Sequence, residues 1–200
     1  MPKDIRALFV GESPPAGGDF FYFGTGNLFN YTKEAFERAF NIQFNTSQDF
    51  LNFFKNCGCY LEDLIPIPGL DVNACQNIRF PVNFSLRNKF PTLLDWYIEK
   101  FQRCWLNNRS IRLPVIIVVI KRMFKELKRK FDKHPVTYVP ISNGQLKLED
   151  AWKRKDIIVF TDGNGDGPLP FPAQGWQNEY VKRLEKILKK LKKASILRSI

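Results

Sequence analysis

Seven consecutive residues, Pro114-Val-Ile-Ile-Val-Val-Ile120, constrain the fold of this 200-residue chain more than any other feature. β-Branched side chains are stiff about χ1 and pack well on a pleated surface, so the run reads as a strand. It carries no polar residue on either face. A strand wetted on one side alternates, whereas one without alternation is covered on both, as in the centre of a parallel sheet. Parallel strands need long crossovers, usually helical. The basic segment Lys121 to Lys133 follows directly and reads as such a helix.

The rest of the chain repeats this alternation. Ile5 to Val10 reads as the first strand, and Tyr60 to Ile65 as the next, stopped by Pro66 and Pro68. Val136 to Val139 and Asp156 to Phe160 supply one or two more. Thr32 to Phe40 is expected to be a helix, with Thr32 as N-cap and Ala35, Phe36, Ala39 and Phe40 on one face. Ser47 to Lys55 is a second helix, with Phe50, Leu51, Phe53 and Phe54 turned inward. Pro91 to Leu106 buries Leu94, Tyr97, Ile98, Phe101 and Trp105. Gln177 to Lys193 sets an apolar stripe of Tyr180, Leu184, Ile187, Leu188 and Leu191 against a lysine face. Gly69 to Lys89 is turn-rich and reads as an irregular excursion over the active edge. With no internal repeat and no long linker, the expectation is one domain, 1–200: a three-layer α/β/α sandwich around a short, mostly parallel sheet.

Net charge is +11, and fifteen of the 31 lysines and arginines fall in two segments, seven in Lys121 to Lys133 and eight in Lys182 to Arg198. Such clustering suits a polyanion, because each neutralised phosphate releases counterions. Solvated helix faces are the plainer explanation, and an acidic membrane surface a weaker one. Apolar runs are too short for a signal core at Leu8 to Val10 or a bilayer span at Ile111 to Ile120. The expectation is a soluble intracellular monomer, cytoplasmic or nucleoid-associated, without a membrane partner. Cys57, Cys59, Cys75 and Cys104 match no common zinc spacing, and the single histidine, His134, is distant in sequence. Mostly buried, reduced thiols and no metal are expected. Gly163-Asn-Gly-Asp-Gly167 lacks the Lys-Ser/Thr of a phosphate loop and the closing Glu of a calcium loop, and reads as a flexible turn.

The chemistry is concentrated near the start. In Leu8-Phe9-Val10-Gly11-Glu12-Ser13-Pro14-Pro15 an apolar strand ends in a glycine, a lone carboxylate and two prolines. In an α/β protein this delivers Glu12 to the carboxyl edge of the sheet, where ligands usually bind. Gly11 lets the backbone approach a ligand closely, and the prolines stiffen the loop. Any α/β enzyme can place an acid there.

The run nonetheless resembles the first motif of the uracil-DNA glycosylase superfamily, and the aromatic stretch Gly18 to Gly26 resembles that family's base-stacking loop. The resemblance implies that Glu12 holds a water or stabilises charge on the sugar, and that Phe21 or Tyr22 stacks on a flipped base. Alignment against Phe-x-Gly patterns favours Tyr22, with a one-residue ambiguity. Asp63 falls at or next to the family's base-reading asparagine. An ionised aspartate only accepts hydrogen bonds, so it suits an amino-bearing edge better than uracil unless desolvation keeps it protonated. The second family motif, normally His-Pro-Ser, corresponds to Leu169-Pro-Phe-Pro-Ala-Gln-Gly-Trp176, which lacks the histidine. Phe171, Gln174 and Trp176 are the wedge candidates there, and Lys189, Lys190 and Lys193 the DNA-contacting cations of the last helix. Some family members carry a four-cysteine iron–sulfur cluster with two cysteines before the first motif; no cysteine precedes it here, so no cofactor is expected. The implied function is a metal-free DNA base-excision glycosylase. Its rivals are a non-catalytic nucleic-acid-binding protein of the same fold and a small-nucleoside hydrolase.

Overall fold

Five apolar-centred runs become strands in the computed structural model, which describes residues 5–79, 90–106, 115–173 and 175–198. They are Ala7–Gly11 (β1), Cys59–Asp63 (β2), Val115–Val118 (β3), Val136–Pro140 (β4) and Ile157–Thr161 (β5). All pair in parallel, in the order β2-β1-β3-β5-β4.

Seven helices flank the sheet among the described residues: Gly26–Phe40 (α1), Ser47–Asn56 (α2), Val72–Asn77 (α3), Leu93–Phe101 (α4), Lys121–Phe131 (α5), Gln145–Arg154 (α6) and Gln177–Lys193 (α7). The period-2 alternation of strand side chains divides the interior into two cores. Ala7, Phe9, Ile117, Ile158 and Phe160 pack with α1, α2, α6 and α7. Leu8, Val10, Ile116, Val118, Ile157 and Val159 pack with α3, α4 and α5. The fold is therefore a three-layer α/β/α sandwich, with its sheet wholly parallel among the described residues.

Crossovers that move one way along the sheet (β1 to β2, β4 to β5) use helices on the first face. Those moving the other way (β2 to β3, β3 to β4) use the second. All four thus share one hand, as parallel βαβ units require.

Three local expectations change. Helix α1 begins at Gly26 rather than Thr32, because Phe29 belongs to the same buried stripe as Phe36. Thr32 is buried mid-helix, sharing a 2.7 Å hydrogen bond with the Tyr180 hydroxyl of α7. The excursion after Gly69 contains α3, capped by Asp71, whose carboxylate accepts from the Ala74 N–H at 2.7 Å; its later part lies outside the described residues. The helix expected from Pro91 starts at Leu93 behind a Thr92/Asp95 capping box and widens into a π-helical turn over Gln102–Leu106.

Much of the phenylalanine content is spent locating the aromatic loop. Phe21 sits in a 3₁₀ turn, Phe21–Phe23, with ring centroids 5.7 Å from Phe29 and 5.2 Å from Phe54. Tilted and edge-on contacts at these distances are favourable beyond simple burial. They fasten the loop against α1 and α2.

Candidate active site

The strand order reverses between β1 and β3: the chain leaves β1 toward β2 and later returns to build outward from β3. Ligands in open parallel sheets bind outside the carboxyl ends of strands at such a point. A cavity of about 870 Å³ lies there, lined by the ends of β1, β2 and β3, the start of α1 and Pro170, Phe171, Ala173 and Trp176.

Glu12, the residue after β1, is only 8% exposed. One carboxylate oxygen accepts from the Val72 N–H, the first of α3, at 3.0 Å. The other accepts from the Arg122 guanidinium at 2.5 Å. Each oxygen offers two lone-pair sites, so Glu12 is oriented by these partners with acceptor capacity left over. Its backbone carbonyl also takes the Ile65 N–H at 2.9 Å, carrying the β1–β2 pairing past the strand ends.

Asp63 ends β2 directly beside Gly11. A Cβ on Gly11 would lie 2.1 Å from Asp63 Oδ1, so the carboxyl occupies the space a side chain would need. Here the glycine serves close approach of a neighbouring side chain. Burial, reinforced by the charges of Glu62 and Glu12, pushes the Asp63 carboxyl up to about 6. It accordingly gains its proton at a higher pH than an exposed aspartate does. Protonated, it offers a donor and an acceptor; ionised, it offers acceptors alone.

Phe20 and Phe21 form the aromatic wall. Tyr22, the favoured stacking residue on sequence grounds, stands outside the cavity lining. Its hydroxyl accepts from the Leu61 N–H at 2.8 Å and donates to the Leu61 carbonyl at 3.1 Å, clamping the outer edge of β2. Successive side chains of a 3₁₀ turn diverge by about 120°, so Phe21 and Tyr22 cannot both face inward. Phe20 and Phe21, and not Tyr22, are therefore the rings of this loop that line the cavity. On the opposite wall Phe171 and Trp176 line the mouth, 39% and 55% exposed. Gln174 lies outside the described residues.

The site has two members that sequence reasoning missed, Lys121 and Arg122. They open α5, and Ile120 before them has φ +87°. A β-branched residue in that region is a true outlier, held only where the surroundings over-determine it. The Ile120 N–H donates to the Leu169 carbonyl at 3.0 Å, and Val119 pairs with Leu169, which ties the Pro-rich stretch to β3. Lys121 reaches Asp162 at 3.0 Å, while Asp162 accepts the N–H groups of Asn164 and Asp166, each at 2.9 Å. The Gly163–Gly167 segment is thus a turn built on Asp162.

Other candidates fall elsewhere. His134 precedes β4 at the amino edge, 3.4 Å from the Gln102 amide. Helix α7 starts beside the cavity at Trp176 and runs 17 residues, about 25 Å at the usual rise. It ends where Arg6 donates to the Ile196 carbonyl and the Arg198 N–H to that of Cys57, next to the starts of β1 and β2. Lys189, Lys190 and Lys193 are therefore at the edge opposite the cavity, and no cavity-rim role is open to them. Cys57, Cys59 and Cys75 are buried and Cys104 exposed, all as free thiols. Among the described residues no three His, Cys, Asp or Glu side chains are grouped to hold a metal, and no helix is long and apolar enough to cross a membrane. Compared with known protein families, curated proteins and solved structures, the chain gives no match.

Proposed function

We propose that this protein is a DNA base-excision glycosylase of the uracil-DNA glycosylase type, hydrolysing the N-glycosidic bond of a base flipped into the β1/β3 cavity. One observation carries the reading. Two carboxylates on adjacent strand ends, in unlike environments, border one aromatic-walled cavity whose volume suits a nucleoside.

Glu12, steered by Arg122, holds the attacking water and stabilises positive charge developing on the sugar. The water oxygen bonds to C1′ as the C1′–N bond breaks; its proton passes through Glu12 to solvent, and the base takes the bonding electrons. Phe20 and Phe21 support the face of the base, and Phe171 and Trp176 fill the stack it leaves. Asp63 reads its edge: protonated, it matches an edge with one donor and one acceptor; ionised, it matches an amino-bearing edge.

The test is incubation with oligonucleotides carrying single modified bases, from pH 5 to 8, followed by alkaline cleavage at abasic sites. Release of at least one base, lowered about a hundredfold by Glu12→Gln with oligonucleotide affinity within a few-fold, is expected. Absence of abasic sites on every substrate would overturn the proposal. The placement of Lys189, Lys190 and Lys193 away from the rim favours one second reading, a hydrolase of free nucleosides using the same carboxylates. Release from nucleosides with none from polymer would select it.

A further inference from the structure

A crossover helix in a parallel sheet ends at the amino edge of the strand it feeds, so the last turns of these helices collect on one side of the molecule. Here those turns are unusually basic. Helix α5 finishes Lys128, Arg129, Lys130 ahead of β4, and α6 finishes Lys153, Arg154, followed by Lys155, ahead of β5. Helix α7 finishes Lys189, Lys190, Lys192, Lys193 beside the starts of β1 and β2. From β2 to β4 this edge spans four strand spacings, about 19 Å, the length of roughly six nucleotides of a B-form strand.

We infer that the amino edge is a second nucleic-acid contact, a phosphate-backbone site on the side of the molecule away from the cavity. A helix macrodipole favours a cation or two at each C-terminus but does not call for four within five residues. Some of these cations have local carboxylates: Lys189 with Glu185, Lys128 with Asp132, Arg154 with Asp156. Lys190, Lys193, Lys153, Lys155 and Arg129 make no ion pair among the described residues. Lys190 is pushed down by burial and by Lys193 beside it, so like charges are crowded in the free protein. An extended polyanion relieves that repulsion, and one that runs along this edge meets cations of α6 and α7 from one face of the sheet and of α5 from the other. The site is independent of the chemistry at the cavity, and it would hold a segment of nucleic acid other than the one presenting a base.

The experiment is fluorescence anisotropy with a labelled, unmodified 20-base-pair duplex over a salt series. For Lys189→Glu/Lys190→Glu/Lys193→Glu, affinity near 0.1 M salt should fall about tenfold or more, and the log–log salt slope should flatten by about 2 to 3. The glutamine triple should fall between this and wild type, and circular dichroism should show both folded. Wild-type affinity and slope in either folded variant would overturn the inference, as would tighter binding to phosphatidylserine vesicles than to the duplex. Because the duplex holds no modified base, this result is separate from success or failure of base excision.

Discussion

At the carboxyl edge of the sheet, Glu12 and Asp63 are withdrawn beside a cavity, with Ile120 strained between β3 and α5. At the amino edge, Lys189 and Lys193 stand in water at the end of a regular helix. The amino edge obeys local rules, since cations at helix C-termini favour both the helix and its solvation. The carboxyl edge breaks several: a positive φ at a β-branched residue, a carboxyl pushed up to about 6 by burial, and a glycine whose missing Cβ makes room for that carboxyl. Departures of this kind persist where surrounding structure enforces them, and they cluster at functional sites. The contrast supports the proposal of chemistry at the carboxyl edge and leaves the amino edge a place of charge.

The sharpest way to break this contrast is at Gly11. Gly11→Val drives a side chain into Asp63 and should abolish excision and lower stability by about 1–3 kcal/mol as the strand ends shift. Wild-type melting and turnover would mean that the β1–β2 junction is loose and the close approach carries no function.

Asp63 sharpens it through pH. Its carboxyl is raised from 3.8 to about 6, so between those values the native state binds more protons than the unfolded one, and stability falls as pH rises. The penalty is absent below pH 4 and complete above about 6, reaching up to about 3 kcal/mol. Asp63→Asn should accordingly raise the melting temperature at pH 8 and leave it unchanged at pH 3.5. Uracil release by the wild type should decline from pH 5 to 8, and Asp63→Asn should flatten the profile and raise the rate at pH 8. A variant slower at every pH would make Asp63 a proton donor rather than a base-edge reader.

Tyr22 tests whether the aromatic loop is held from outside the cavity. Tyr22→Phe removes the clamp on Leu61 and should cost about 1 kcal/mol in urea denaturation while changing base excision only a few-fold. A loss as large as that of Glu12→Gln would place Tyr22 in the site after all. The smallest effect belongs to the amino edge: Lys189→Ala, breaking an exposed pair with Glu185, should move stability by no more than about 0.5 kcal/mol. A larger loss would show that the lysine supports the fold.

How far the sequence could be read differs along the same lines. The Val115 to Ile120 run, the Ile5 to Val10 strand and helix α7 from Gln177 to Lys193 were all legible, because each carries its period within its own residues. Helix α6 was not, since only Leu148 and Ala151 of its ten residues are buried and Leu146 stands exposed, which leaves too short an apolar stripe to read. Glu12 and Asp63 were legible as residues after apolar strands. Arg122 was not legible as part of the site: it meets Glu12 across 110 positions of sequence, and in the chain it is one more cation of a basic helix. Phe21 and Tyr22 differ by one position, and only the hydroxyl's attachment to β2 decides which ring turns inward.

By itself, the sequence determined that the sheet would be mostly parallel with doubly covered central strands, that helices would alternate with them, and that a carboxylate would end the first strand. Those properties follow from local periodicity, from the backbone freedom of glycine and from the fixed φ of proline. Tertiary structure alone decided the strand order, and with it the cavity at the β1/β3 reversal, the pairing of Glu12 with Arg122, the desolvation of Asp63 and the removal of the α7 lysines to the far edge. Each of these depends on distances between residues remote in the chain. Desolvation and charge pairing are set by what lies within a few ångströms in space, which no local pattern records.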